Sequence, residues 1–235
     1  RYTVHGPIIT DVKDTGGLVV SMKWLGNMKS NEFRQVYLLN RAKDWADFRN
    51  ATKYFSAVGQ NIAYADVKGN IGLQCSVGIP IRAKGDGNDL LPGWDGEHEW
   101  IGKVPFEQLP SIYNPPSGFV ASANNRTVAR PNFYISTWGF SMPDRIDRIN
   151  ELLKSKDGLT LDDLCAIQLD VTSPQTLLIK NDLVGALKGN GALDAREKEI
   201  LGLVEKWNGA LTADSAGGAL EEAFLMAMIR NTFAD

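Results

Sequence analysis

The spacing of apolar residues changes character once along the chain. Up to about residue 155 the pattern is that of strands, long loops and a few helices; beyond it the apolar positions follow a helical period throughout. Residues 1–24 read as a hairpin, with an apolar strand to Thr10, a turn at Asp14-Thr15-Gly16-Gly17 and a return strand over Leu18–Trp24. Phe33, Val36 and Tyr37 share one helical face, and Trp45 and Phe48 repeat that spacing after Asp44. Gln60–Asp66 and Ile71–Gly78 read as two strands about the turn Val67-Lys68-Gly69-Asn70. Residues 79–118 predict a long ordered loop pinned by Trp94, Trp100 and Phe106, and Phe119–Asn124 a short strand.

The helical part carries explicit start signals. Ser141-Met142-Pro143-Asp144 has capping-box spacing with proline in the first turn, followed by a stripe of Ile146, Ile149, Leu152 and Leu153. Thr160-Leu161-Asp162-Asp163 is a second box, and Ser173-Pro174 opens a third helix that stops at Gly189. Asp194-Ala195-Arg196-Glu197 opens a fourth, with Ile200, Leu201, Val204 and Trp207 inward, and Ala219–Ile229 is the last. The pattern predicts an α+β fold, with a layer of strands, loops and a few helices over 1–155 and a helical region over 156–235. Both termini, Arg1-Tyr2-Thr3 and Phe233-Ala234-Asp235, read as cuts in a longer protein, whose upstream part would hold any secretion signal.

Composition removes several classes. Lys and Arg number 25 and Asp and Glu 28, a net charge of −3, which argues against a nucleic-acid partner. No apolar run approaches the roughly 20 residues of a membrane helix, so no membrane partner is expected. Two cysteines, Cys75 and Cys165, cannot build a disulfide framework or a cysteine-rich zinc site, and both read as buried thiols. Two histidines make a multi-histidine metal centre improbable on supply alone; His5 reads as structural and His98 as exposed.

Several segments fall in a specific order: Tyr64-Ala65-Asp66-Val67-Lys68-Gly69-Asn70-Ile71-Gly72, Pro80, Arg82, Gly85, Pro92-Gly93-Trp94, Trp100, Gly102 and Pro105-Phe106. Asn114-Pro115, Gly118-Phe119-Val120-Ala121-Ser122-Ala123-Asn124-Asn125, Trp138, Asp144-Arg145-Ile146, Gln168-Leu169-Asp170, Trp207-Asn208-Gly209 and Asp214-Ser215 complete it. With the Thr3-Val4-His5-Gly6-Pro7 opening, this series resembles the middle of the β-chain of penicillin amidases, which are N-terminal-nucleophile hydrolases. The resemblance implies part of an αββα sandwich followed by a helical region. It also implies an acylase that cleaves acyl C–N bonds through an acyl-enzyme. In that family a Ser, rarely Cys or Thr, at the start of the β-chain is the nucleophile, and its own α-amino group is the base. Arg1 has neither hydroxyl nor thiol, so the nucleophile is expected upstream and the isolated chain is expected to be inactive.

The resemblance also assigns roles. Asn124 would donate its amide N–H to the oxyanion, and Arg145 would line the site and orient the nucleophile's amino group and the substrate. Read from the residues alone, Asn124-Asn125 is a strand end and turn, and Arg145 a surface ion pair at a helix start, where its charge opposes the dipole. Asp66 and Asn70 read first as turn formers. No cofactor is expected. Some family members hold a structural calcium, but one ligand position falls at Asn132, whose neutral amide weakens a hard-cation site. The partners implied are the remainder of the same precursor (its α-chain and the start of its β-chain) and a small acyl-amide substrate. A sheet edge left uncovered by the missing nucleophile strand would promote self-association. The implied compartment is periplasmic or secreted. Two alternatives stay open: a non-catalytic ligand- or glycan-binding module using the Trp94 and Trp100 loop, and a degenerate family member.

Overall fold

The structure, a computed structural model, describes residues 1–127, 140, 142–189 and 191–233. It forms two compact units, Arg1–Ser141 and Met142–Asp235. The first opens with a tight antiparallel pair, β1 (Tyr2–Thr3) and β2 (Gly6–Pro7). Beyond it Ile8 bridges Ser21, and the Ile9 N–H donates to the Val20 carbonyl at 2.9 Å. The predicted hairpin is thus reduced to an isolated bridge with a few backbone bonds: residues 18–24 form no strand, and the first strand is broken at Gly6. There φ is +105°, and a Cβ would stand 2.2 Å from the Met22 carbonyl oxygen, so only glycine fits.

Helices α1 (Glu32–Leu39) and α2 (Trp45–Thr52) pack against each other. The predicted apolar face of α1 is not its buried face: Gln35 turns inward, while Phe33 is 92% exposed and Val36 and Tyr37 are also exposed. Asp44 caps α2 by accepting from the Asp47 N–H at 2.9 Å.

Strands β3 (Gln60–Ala65) and β4 (Ile71–Ser76) pair antiparallel from Gln60↔Ser76 to Ala65↔Ile71. The stretch after them is not one loop. It contributes a two-stranded ribbon, β5 (Pro80–Arg82) with β6 (Trp100–Lys103), and then β7 (Ser111–Tyr113), which joins the free side of β4. The three-stranded sheet thus runs β3-β4-β7, with β3 and β7 outermost.

Helix α2 lies along β4 in a matched ladder. Gly72 sits beneath Trp45, where a Cβ would meet the indole at 2.6 Å. Arg49 donates from Nε to Gln74 Oε1 at 2.9 Å, and Ser76 donates to the Thr52 carbonyl at 2.6 Å. Steps of four and three on the helix therefore meet steps of two on the strand, as the two rises require. Gly72, Gln74 and Ser76 are consequently the fully buried side of β4, while Ile71, Leu73 and Cys75 are only half-buried. Trp45 stacks on Tyr113 at 5.0 Å and on Phe48 at 5.2 Å, and Tyr64 meets Trp45 and Phe48 at 5.4 and 5.1 Å. This aromatic cluster closes over the glycine.

The second unit consists of α3 (Asp144–Lys154), α4 (Leu161–Gln168), α5 (Pro174–Gly189), α6 (Ala195–Lys206) and α7 (Ala216–Phe233). Packing on α4 and α5 groups α3 here, whereas its sequence pattern had placed it with the preceding layer. Two capping boxes form as written: Thr160 with Asp163, and Asp194 with Glu197. At α3 the cap position is Pro143, without a side-chain cap, and Ser141 lies outside the described residues. Leu201, Val204 and Trp207 are buried as expected, but Ile200 is 37% exposed. Cys165 is exposed and Cys75 half-buried, which corrects the expectation of two buried thiols. Burial pushes the Cys75 thiol up in pKa.

Candidate active site

The segment after β7 carries Asn124. It forms no strand. Asn124 has φ +60°, in the left-handed region, which ends any extended run and which asparagine tolerates better than most residues. Side chains hold the segment on both sides of that residue. Asn61 on β3 donates from Nδ2 to Ser122 Oγ at 2.8 Å. Asn125 Oδ1 accepts from the Ala123 N–H at 3.0 Å, and its Nδ2 donates to the Arg126 carbonyl at 3.1 Å. Ala123 is buried, while Asn124 stands exposed at the apex of the turn. Chemically, this is an uncharged amide on an anchored turn.

Arg145 occupies the first turn of α3 and is exposed. Asn124 belongs to the first unit and Arg145 to the second. One turn further on, Arg148 makes a paired contact that sequence reasoning missed. Its Nε and Nη2 donate to the two carboxylate oxygens of Asp170 at 3.0 and 2.8 Å, and Nη1 donates to Glu151 at 2.9 Å. The Arg148 bonds hold the Asp170 carboxyl below its ordinary pKa, and Asp170 in turn accepts from the Thr172 N–H at 3.1 Å. The pair fixes the end of α4 against the helix that bears Arg145. Asp170 belonged to the ordered series, so the signal was present; only the fold supplies its partner.

The Asp66–Asn70 turn is built as its residues predict. Asp66 accepts from the backbone N–H groups of Lys68 and Asn70 at 2.9 and 3.0 Å, from Asn70 Nδ2 at 2.8 Å and from the Tyr64 hydroxyl at 2.8 Å. These donors, the Asn70 amide first, lower its pKa to about 2. Burial and the neighbouring carboxylate push the Tyr64 hydroxyl up to about 12. Asn114 ties the turn to β7 by donating to Asn70 Oδ1 at 2.9 Å.

His5 is structural, as expected. It meets Glu99 Oε1 at 2.5 Å, and Lys23 meets the other oxygen at 2.5 Å. Those partners, Lys23 first, lower the Glu99 pKa to about 2. His98 is half-buried rather than exposed. Trp94 pins nothing, being 87% exposed, whereas Trp100 is half-buried with Lys23 over its ring at 5.4 Å. Asn132 and Trp138 lie outside the described residues. Among the described residues no helix is long and apolar enough to cross a membrane.

The α+β architecture has a close counterpart. The chain superimposes on the thermostable penicillin G acylase of Alcaligenes faecalis with a TM-score of 0.69, over 91% of this chain and 38% of that one, at 22% identity. Its fold is thus that of part of an N-terminal-nucleophile hydrolase. The family model for penicillin amidase matches residues 1–235, and the chain belongs to that family. It is 32% identical to the penicillin acylase 2 proenzyme of Pseudomonas sp. strain SE83, over 97% of this chain and 29% of that protein. It is 33% identical to the acyl-homoserine lactone acylase QuiP of Pseudomonas aeruginosa, over 84% of this chain and 24% of that protein. The chain therefore spans less than a third of the length of these relatives.

Proposed function

We propose that residues 1–235 form part of an amide hydrolase that transfers the acyl group of a small acyl-amide to water. The family match over the whole chain carries this reading. The nucleophile comes, on this reading, from a part of the longer enzyme outside residues 1–235, which span less than a third of the relatives' length. Its oxygen or sulfur attacks the acyl carbonyl carbon, and the carbonyl oxygen takes the negative charge. The Asn124 amide donates to that oxygen. A neutral donor on an anchored turn suits the task, because it stabilises developing charge without the cost of desolvating an ion. The intermediate collapses, the C–N bond breaks, and the proton taken by the nucleophile's α-amino group passes to the leaving amine. Water then releases the acid by the same steps.

Arg145 lines the site and orients that amino group and the substrate. Its fixed positive charge also disfavours a second cation nearby, which keeps an α-amino group neutral and basic at working pH. The partners are the remainder of a longer precursor and the acyl-amide substrate; no cofactor takes part. The compartment is the periplasm or the exterior, by family resemblance. The outer strands β3 and β7 are where precursor segments, or in their absence other copies, would add.

The test compares residues 1–235 alone with the longer precursor on a chromogenic phenylacetyl anilide. Turnover is expected only from the precursor-derived enzyme, and turnover by residues 1–235 alone would overturn the assignment of an external nucleophile. In the precursor-derived enzyme, Asn124→Ala should lower kcat by roughly 10²–10³ without loss of folding. An unchanged kcat would remove Asn124 from the oxyanion site.

A further inference from the structure

The turn that bears Asn124 is tied to the three-stranded sheet through the side chain of Asn61. Asn61 lies on β3, paired with Cys75 of β4, and its Nδ2 reaches Ser122 Oγ at 2.8 Å, two residues before Asn124. The other end of the same amide, Oδ1, is buried and meets no hydrogen-bond partner among the described residues. A buried amide with half its bonding capacity unused is a poor structural choice, because an apolar side chain of similar shape would incur no such desolvation cost. What the amide does achieve is to fix Ser122 against a strand. The Asn125 side chain fixes Ala123 from the other side. Between these two anchors Asn124 is held at φ +60°. An oxyanion donor must stand about 2.7–3.1 Å from the charge it meets, so a turn that drifts by a fraction of an ångström loses most of its effect.

We propose that Asn61 is a positioning residue that, through Ser122, sets where the Asn124 amide points. The inference rests on the oxyanion role given to Asn124 above. It assigns to the outer strand of the sheet a contribution to the rate that neither contact with substrate nor stability accounts for.

The experiment is a double-mutant cycle in the precursor-derived enzyme, assayed on phenylacetyl anilide with Tm measured for every variant. Asn61→Leu is expected to lower kcat by roughly tenfold to a hundredfold, with little change in KM and no fall in Tm. In an Asn124→Ala background the same substitution should leave kcat unchanged within about twofold, because the group it positions is gone. Ser122→Ala removes the acceptor without touching the sheet and should reproduce the loss, while Ser122→Thr, which keeps the hydroxyl, should restore it. Equal losses in both backgrounds, or an Asn61→Leu enzyme with unchanged kcat, would overturn the inference while leaving Asn124 in its role. A falling Tm that parallels the kcat loss in both Asn61→Leu and Ser122→Ala would make the contact structural and overturn it likewise. If Asn124→Ala itself has no effect, the oxyanion reading fails first and the positioning role falls with it.

Discussion

The two units reach their folds by opposite routes. In the second, helices begin where local chemistry says they should: Thr160 and Asp194 each close a reciprocal box with the residue three positions on. In the first, the decisive interface is between segments distant in sequence. Gly72, Gln74 and Ser76 are the fully buried side of β4 because Trp45, Arg49 and Thr52 of α2 need, in turn, an empty space, an acceptor and a donor. The more apolar Leu73 and Cys75 on the other side are only half-buried. Burial there follows the partner's shape and hydrogen bonding more than hydrophobicity.

The contrast can be broken most sharply at Gly72. Gly72→Val should destabilise the first unit by about 3 kcal/mol or more, since two branched carbons must displace a stacked indole. Hydrogen exchange should show lost protection in β3, β4 and β7 while α5–α7 keep theirs; uniform loss would mean the units do not differ in this way. Next, Asp170→Ala leaves a half-buried guanidinium without its bidentate acceptor and should cost about 2 kcal/mol, read by urea denaturation. Thr160→Ala tests the local route and should cost about 1 kcal/mol, confined to α4.

The smallest effects should be those of pH, and they have opposite signs. Asp66 in the first unit has its pKa lowered to about 2, so its contribution is present above about pH 4 and is lost as pH falls toward 2. Glu221 in the second unit is fully buried with neither oxygen bonded among the described residues, and burial raises its pKa. Its folded form holds the proton more tightly than the unfolded chain does, so its penalty grows as pH rises above about 4.5. Asp66→Asn should flatten the acid limb of Tm against pH, and Glu221→Gln should raise Tm at neutral pH. A Glu221→Gln protein less stable at pH 7 would show that the carboxylate has a partner in solution.

How much of the candidate site was legible depends on the same distinction. Asn124 and Arg145 could be named because the ordered segments around them resemble a family. Asn61 and Ser122 could not be paired, since they are separated by 61 positions and neither pattern announces the other. Phe119–Asn124 looked like a strand because its composition is apolar; the left-handed Asn124 and the bonds to Asn61 and Asn125 make it a turn instead. The exposed face of α1 misled for a related reason: periodicity reports that an apolar stripe exists, and says nothing of what covers it.

The sequence by itself determined the Asp66 turn, the start of α5 at Ser173-Pro174 with its end at Gly189, and the two reciprocal caps. Each of these is decided by hydrogen bonds between residues a few positions apart, which short-range order in the chain encodes directly. The tertiary structure alone decided which side of β4 is buried, that Arg148 meets Asp170, and that β3 grips the turn of Asn124. Those outcomes depend on which distant groups can meet without clash or unpaired charge, and no local pattern carries that information.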